Sequence, residues 1–112
     1  MTDYLDWPGQ SGAAYRYWFV TLDAKKLLDV GGNYIFVKQL PNGNWLPVYI
    51  GQADDLQGRL PNHDRLEDAK KAGVTHVMAH TTPAGEAARL AEERDLIQRW
   101  HPPLNTQHRK AS

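Results

Sequence analysis

The apolar positions of this chain fall into blocks with two different periods. Ala14 to Leu22 (AYRYWFVTL), Asn33 to Gln39 (NYIFVKQ), Trp45 to Ile50 (WLPVYI) and Val74 to Thr81 (VTHVMAHT) are short and rich in aromatic and β-branched residues. That composition predicts strands packed on a core. Asn42-Gly43, between the second and third blocks, is a type I′ turn signal, so these two read as a hairpin. Pro47 cannot donate a ladder hydrogen bond, which places the second hairpin strand at a sheet edge or starts it at Val48. Gly51 is expected to break that strand.

The remaining segments carry helical punctuation. Asp23 to Val30 reads as a short helical turn ended by Gly31-Gly32. Asp54-Asp55-Leu56 opens a helix through an Asp cap, and Pro61 interrupts it because its ring clashes with the carbonyl four residues back. Asp64 to Ala72 predicts a second helix with Leu66 and Ala69 inward, closed at Gly73. Thr82 is expected to cap a third, with Pro83 at its first position, running to about Trp100. At about 100° per residue, Leu90, Ile97 and Trp100 share one stripe of this helix with Glu93 in its middle. Glu92, Asp95 and Arg99 fall on the far side, where solvent-facing charges belong. An unpaired buried carboxylate is costly, so Glu93 is expected beside a metal ion, or in an ion pair with Arg59 or Arg89. Met1 to Gly12 reads as an irregular lead-in, and residues 106–112 as a frayed tail.

Composition narrows the class. With 112 residues, 41% of them hydrophobic, the chain supports one packed domain. The absence of Cys excludes a disulfide scaffold and any Cys-based zinc site. No apolar run approaches a membrane span and the N-terminus has no signal-peptide pattern, so a soluble cytoplasmic protein is expected. Thirteen basic and thirteen acidic residues give zero formal net charge. Proteins that hold long nucleic acid unaided are usually basic, because phosphate neutralisation supplies most of the non-specific affinity. Nucleic-acid binding here would rest on a local patch or a partner. His76 and His80 have zinc-like spacing only on a helix; on a strand they stand about 13 Å apart. Lys70-Lys71 reads as a solvated face, and the tryptophans as packing residues, with Trp45 near the hairpin tip open to packing or base stacking.

The densest chemistry lies between Tyr49 and His63. A tyrosine at a strand end, Arg59 in the following helix and His63 four residues later converge on one small volume. Phenol, guanidinium and imidazole together can move a proton and hold a phosphate. Gly32-Asn33-Tyr34 and Tyr49-Ile50-Gly51 resemble the two signatures of the GIY-YIG nuclease family. Arg59 and His63 follow at the family spacing, Glu93 resembles its metal-binding Glu, and Asn105 its terminal Asn. The resemblance implies an α+β fold: a three-stranded, mainly antiparallel sheet flanked by helices, with an extra N-terminal strand possible. Residues 32–105 would form the nuclease domain, 1–31 an N-terminal extension and 106–112 a tail. The longer segment between the signatures implies a protruding hairpin tip. The implied activity is a divalent-metal-dependent DNA endonuclease working by in-line water attack. Glu93 would hold Mg²⁺ or Mn²⁺, Arg59 stabilise charge on the phosphoryl group, and Tyr34 or Tyr49 take the water's proton. His63 would bond or relay to that tyrosine, and Asn105 orient its neighbours. Asn33 replaces an aliphatic residue of the first signature, which changes packing beside Tyr34 rather than the reacting group. Two rival readings are a nucleic-acid-binding or adaptor protein without turnover, and a nuclease module targeted by a partner in a restriction, mobile-element or toxin system.

Overall fold

The computed structural model describes residues 3–21, 27 and 29–105. Its strands are β1 (Tyr4–Pro8), β2 (Ala14–Val20), β3 (Gly32–Gln39), β4 (Trp45–Ala53) and β5 (His76–Thr81). They form one antiparallel sheet in the order β1-β2-β5-β3-β4. Five strands stand where three, with an extra N-terminal strand, were expected. The lead-in supplies the strand that pattern reading missed: Gly9 to Gly12 form the turn of a β1–β2 hairpin, with Gly12 at φ +93°. Leu5 and Trp7 alternate inward from Tyr4 and Asp6. The aromatic block at Ala14 pairs with β5, so the N-terminal segment widens the sheet away from β4. Most of the helical turn expected over Asp23 to Val30, and the tail, lie outside the described residues.

β3 lies inside the sheet between β5 and β4 and is buried from Gly32 to Val37, because both faces are covered. Tyr34 and Phe36 face one layer, with Leu56, Leu60 and Ala69. Ile35 and Val37 face the other, with Trp7, Tyr17, Met78 and Leu96. β4 is an edge strand that begins at Trp45, the first of the two readings of Pro47. A bulge accommodates the proline: Tyr49 pairs with Phe36 and Pro47 with Val37, which leaves Val48 as the extra residue. β4 does not break at Gly51; it runs on to Ala53.

Helix α1 (Leu56–Arg59) is capped by Asp55, whose carboxylate accepts the Gly58 N–H at 3.2 Å. Pro61 turns the chain into a 3₁₀ turn over Leu60–Asn62. Helix α2 (Leu66–Lys71) buries Ala69 and half-buries Leu66, then ends at Gly73 with φ +93°. Helix α3 (Glu86–Trp100) starts later than the sequence suggested. Thr82 does not cap it: its hydroxyl donates to the Asn33 side-chain carbonyl at 2.7 Å. Pro83 and Ala84 make a turn instead, and Gly85 at φ +104° leads into the helix. No helix among the described residues is long and apolar enough to cross a membrane.

Candidate functional site

The site starts from a register position. Tyr34 on β3 lies opposite Gly51 on β4, and a Cβ at Gly51 would stand 2.5 Å from the Tyr34 hydroxyl. The glycine is there so that the phenol can cross the neighbouring strand. The Tyr34 and Tyr49 rings stack with centroids 6.3 Å apart, and the His63 ring meets both edge-on at 5.3 Å. Arg59 ends α1 and His63 follows the 3₁₀ turn, so the two share no helical face. The turn at Pro61 still brings both to the tyrosines.

His63 has a defined tautomer. The Arg65 backbone N–H donates to Nδ1 at 2.9 Å, so Nδ1 carries the lone pair and the neutral ring holds its proton on Nε2. Nε2 lies 2.6 Å from the Tyr34 hydroxyl oxygen and donates to it. Burial, with Arg59 adding to it, pulls the His63 pKa down to about 4, so the ring is neutral at pH 7. Burial and the neighbouring Tyr49 raise the Tyr34 pKa against the pull of Arg59. Tyr34 is only 1% exposed. Tyr49 is half-buried, and its hydroxyl has no hydrogen-bond partner among the described residues. Of the two phenols, Tyr49 is the one a water molecule can reach.

This gives a pH prediction. A histidine whose folded pKa lies below its unfolded value stabilises nothing when protonated: the unfolded chain takes up the proton first. Stability is therefore full above about pH 6.5 and falls as the pH drops toward 4. The loss from His63 is roughly 3 kcal/mol at about 1.4 kcal/mol per unit. His63→Gln should flatten that part of a melting-temperature profile between pH 7 and 4.5. A variant profile parallel to wild type would remove His63 as its cause.

Glu93 is half-buried beside an open groove that it lines with Arg94, Ile97 and Gln98. Burial raises its carboxyl pKa, and the neighbouring Arg94 only partly opposes this. Neither expected ion pair forms. Arg59 turns to Asp64 at 3.4 Å, and Arg89 to Gln52 and Asp54 at 2.9 and 2.6 Å. Glu93 makes no hydrogen bond or ion pair among the described residues, while its charge raises the pKa of both Tyr34 and Tyr49. A single hard carboxylate suits Mg²⁺ or Mn²⁺, which keep much of their water and take phosphate oxygens. It does not suit zinc, and no group of three or more His, Cys, Asp or Glu gathers around a cation position among the described residues.

Asn105 is buried and uses both ends of its amide on the edge strand. It accepts from the Ile50 N–H at 2.7 Å and donates to the Ile50 carbonyl at 2.8 Å. It thereby holds β4 between Tyr49 and Gly51, an orienting role on backbone rather than on a reacting group. Asn33 likewise acts through packing: its amide donates to the Arg89 carbonyl at 2.9 Å and ties β3 to α3.

The sequence reading misplaced the neighbours of Glu93. Glu92 is not solvent-facing; it is 8% exposed and accepts from the Tyr17 hydroxyl at 2.6 Å and His80 Nε2 at 2.5 Å. Asp95 also faces the protein, receiving Ser11 N–H, Ser11 Oγ–H and the Tyr15 hydroxyl at 2.7–2.8 Å. Burial and Asp95 push the Tyr15 phenol up to about 12. The buried stripe of α3 is Arg89, Glu92 and Leu96, polar except for one residue. A hydrophobicity count could not find it. The missed signal was β2 itself: a tyrosine-rich strand brings hydroxyl donors, and carboxylates are what they bond.

Comparisons with protein-family models, with curated proteins and with solved structures gave no match.

Proposed function

We propose that this chain is a divalent-metal-dependent endonuclease that hydrolyses phosphodiester bonds in DNA, of the GIY-YIG kind its two tyrosine signatures resemble. One observation carries the reading. Tyr34, Tyr49, Arg59 and His63 pack into one cluster, and the unpaired Glu93 carboxylate acts on both phenols. A structural core gains nothing from leaving a half-buried carboxylate without a partner.

Glu93 is the residue that would hold Mg²⁺ or Mn²⁺. Such a cation, when bound, polarises a non-bridging phosphate oxygen and eases departure of the leaving oxygen. Arg59, with its side chain 48% exposed beside the tyrosines, meets the charge that develops on the phosphoryl group. Tyr49, as the phenolate after releasing its own proton to solvent, accepts the proton of the attacking water. After burial, the Glu93 charge is the largest cause of its raised pKa, and Arg59 and Arg65 oppose it. Neutralising Glu93 therefore moves the Tyr49 phenol toward its ordinary value, so proton acceptance is coupled to occupancy at Glu93. His63 holds Tyr34 in place through Nε2–H, and Tyr34 in turn fixes the stacked Tyr49 ring. Asn105 keeps the strand under Tyr49 in register.

The test is incubation of purified protein with supercoiled plasmid DNA. Nicked or linear product is expected with Mg²⁺ or Mn²⁺ and none in excess chelator. Equal cleavage in chelator, by a preparation free of other nucleases, would reject the reading.

A further inference from the structure

The stripe of α3 that reads from sequence as a core face is only half-buried, with Ile97 and Trp100 packed against the core at their inner edges. Leu90 is 37% exposed, and Glu93, Ile97 and Trp100 are half-exposed. The last three lie within about 60° of one another and span about 10 Å along the helix. Glu93, Arg94, Ile97 and Gln98 line one groove, and Trp100, on the same stripe of the helix, lines a second at the hairpin tip. That one, about 340 Å³, is walled by Trp7, Pro8, Asn44, Trp45 and Trp100. Its aromatic walls are held before any ligand arrives. Trp100 donates to the Pro8 carbonyl at 2.9 Å and meets Trp7 edge-on at 5.3 Å. Trp45 is wedged by Phe19 and His76 at 5.0 and 4.9 Å.

Charge along this track is mixed: the Glu93 carboxylate stands at one end with Arg94 beside it, and Arg99 at the other. Arg94 and Arg99 form no ion pair among the described residues, and the Arg99 guanidinium lies 5.4 Å from the Trp100 ring. Asp6, the acid at the groove, is neutralised by Arg16 at 2.9 and 3.2 Å. A chain of zero net charge thus places Arg99 against the Trp100 wall of the slot and Arg94 in the adjoining groove beside Glu93.

We infer that this track binds single-stranded DNA, with one unpaired base stacked between Trp45 and Trp100 and the neighbouring phosphates on Arg94 and Arg99. Paired bases in a duplex keep their faces stacked on each other and cannot enter such a slot; an unpaired base offers its whole face. The 10 Å from Trp100 to Glu93 corresponds to about three nucleotides at the 3.4 Å spacing of a stacked strand. This names the substrate of the proposed nuclease and rests on that reading for its direction: a strand unpaired near the bond to be cut.

Binding is measured without turnover, in chelator, by fluorescence anisotropy of a labelled 12-nucleotide oligo(dT) and of a duplex of equal length. Wild type is expected to prefer the single strand at physiological salt. Arg94→Gln with Arg99→Gln, both exposed side chains on opposite flanks of the stripe, should weaken oligo(dT) binding about tenfold. The salt slope should fall by about 1.4, or 0.7 for each lost phosphate contact. Trp45→Leu should cost roughly fivefold or more, the worth of one stacked base. Trp18→Phe, which alters an exposed tryptophan elsewhere on the sheet, should bind like wild type. Equal affinity for duplex, unchanged binding by the double arginine variant, or a loss that follows Trp18 instead would each overturn the inference. Should Trp45→Leu fail to fold, the arginine pair still decides. Plasmid cleavage without single-strand preference defeats this inference and leaves the nuclease reading standing. Single-strand binding without cleavage does the reverse.

Discussion

Glu93→Gln is expected to abolish metal-dependent cleavage while leaving the fold intact. The substitution keeps the side-chain shape and removes the charge that holds a cation. Activity should fall roughly a hundredfold or more, because a Lewis acid contributes several kcal/mol and each 1.4 kcal/mol is about tenfold in rate. Metal-free stability should stay level or rise. Burial raises the Glu93 carboxyl pKa, so its ionised form is unfavourable in the folded state at neutral pH, and the amide relieves that cost. Neither Arg59 nor Arg89 loses a partner, since neither is paired with Glu93. Glu67→Gln on α2, whose carboxylate is solvated and only 3.9 Å from Lys70, is the matched control and should change neither property. Plasmid nicking and thermal melts in chelator read the two effects separately. A fully active, fully stable Glu93→Gln protein would sink the metal-ligand assignment and most of the mechanism.

What was legible in the sequence followed from local rules. The β3–β4 hairpin, the Asp55 cap, the interruption at Pro61 and the stop at Gly73 each depend on a few adjacent residues whose preferences do not need the rest of the fold. The clustering of Tyr49, Arg59 and His63 was also anticipated from the strand end and the helix after it, and the resemblance added Tyr34. Three things were not legible. Strand β1 looked irregular because Pro8, Gly9 and Gly12 dominate its composition, although only the turn uses the glycines. Thr82 had the right chemistry for a cap, yet Asn33 competed for its hydroxyl from a strand 49 residues away. Most instructive is α3. Its most buried stripe is largely polar and its apolar stripe only half-buried, because β2 presents hydroxyls where a sheet usually presents methyl groups. Periodicity places residues on faces of a helix; which face turns inward depends on a partner strand elsewhere in the chain.

That inversion changes what Glu92→Gln should do. From sequence it is a silent surface change; from structure it breaks the network that fastens α3 to the sheet. One Glu92 oxygen accepts from Tyr17, which is fully buried, and from His80, whose ring also meets Tyr17 edge-on at 4.6 Å. His80 Nδ1 faces the Thr81 carbonyl at 2.8 Å, and a carbonyl can only accept, so that nitrogen carries a proton. Nε2 therefore presents its own proton to Glu92 when the ring is charged. Burial pulls the His80 pKa down, but the Glu92 hydrogen bond and charge outweigh it and the pKa is raised. Removing one partner of a buried pair costs about 3–5 kcal/mol, and the partial exposure of His80 places this pair at the low end. A loss of about 3 kcal/mol lowers the melting temperature by roughly 10–20 °C in a domain of this size. Tyr17→Phe should cost about 1 kcal/mol, since it removes a single hydrogen bond. The pH dependence has the opposite sign to that of His63. A histidine whose folded pKa is raised contributes fully below its unfolded value of about 6.5, and the contribution fades as the pH climbs through the folded pKa. The melting gap between wild type and Glu92→Gln should accordingly be wider at pH 6 than at pH 9. A Glu92→Gln protein that melts with wild type at both pH values would show that α3 is not held by this network.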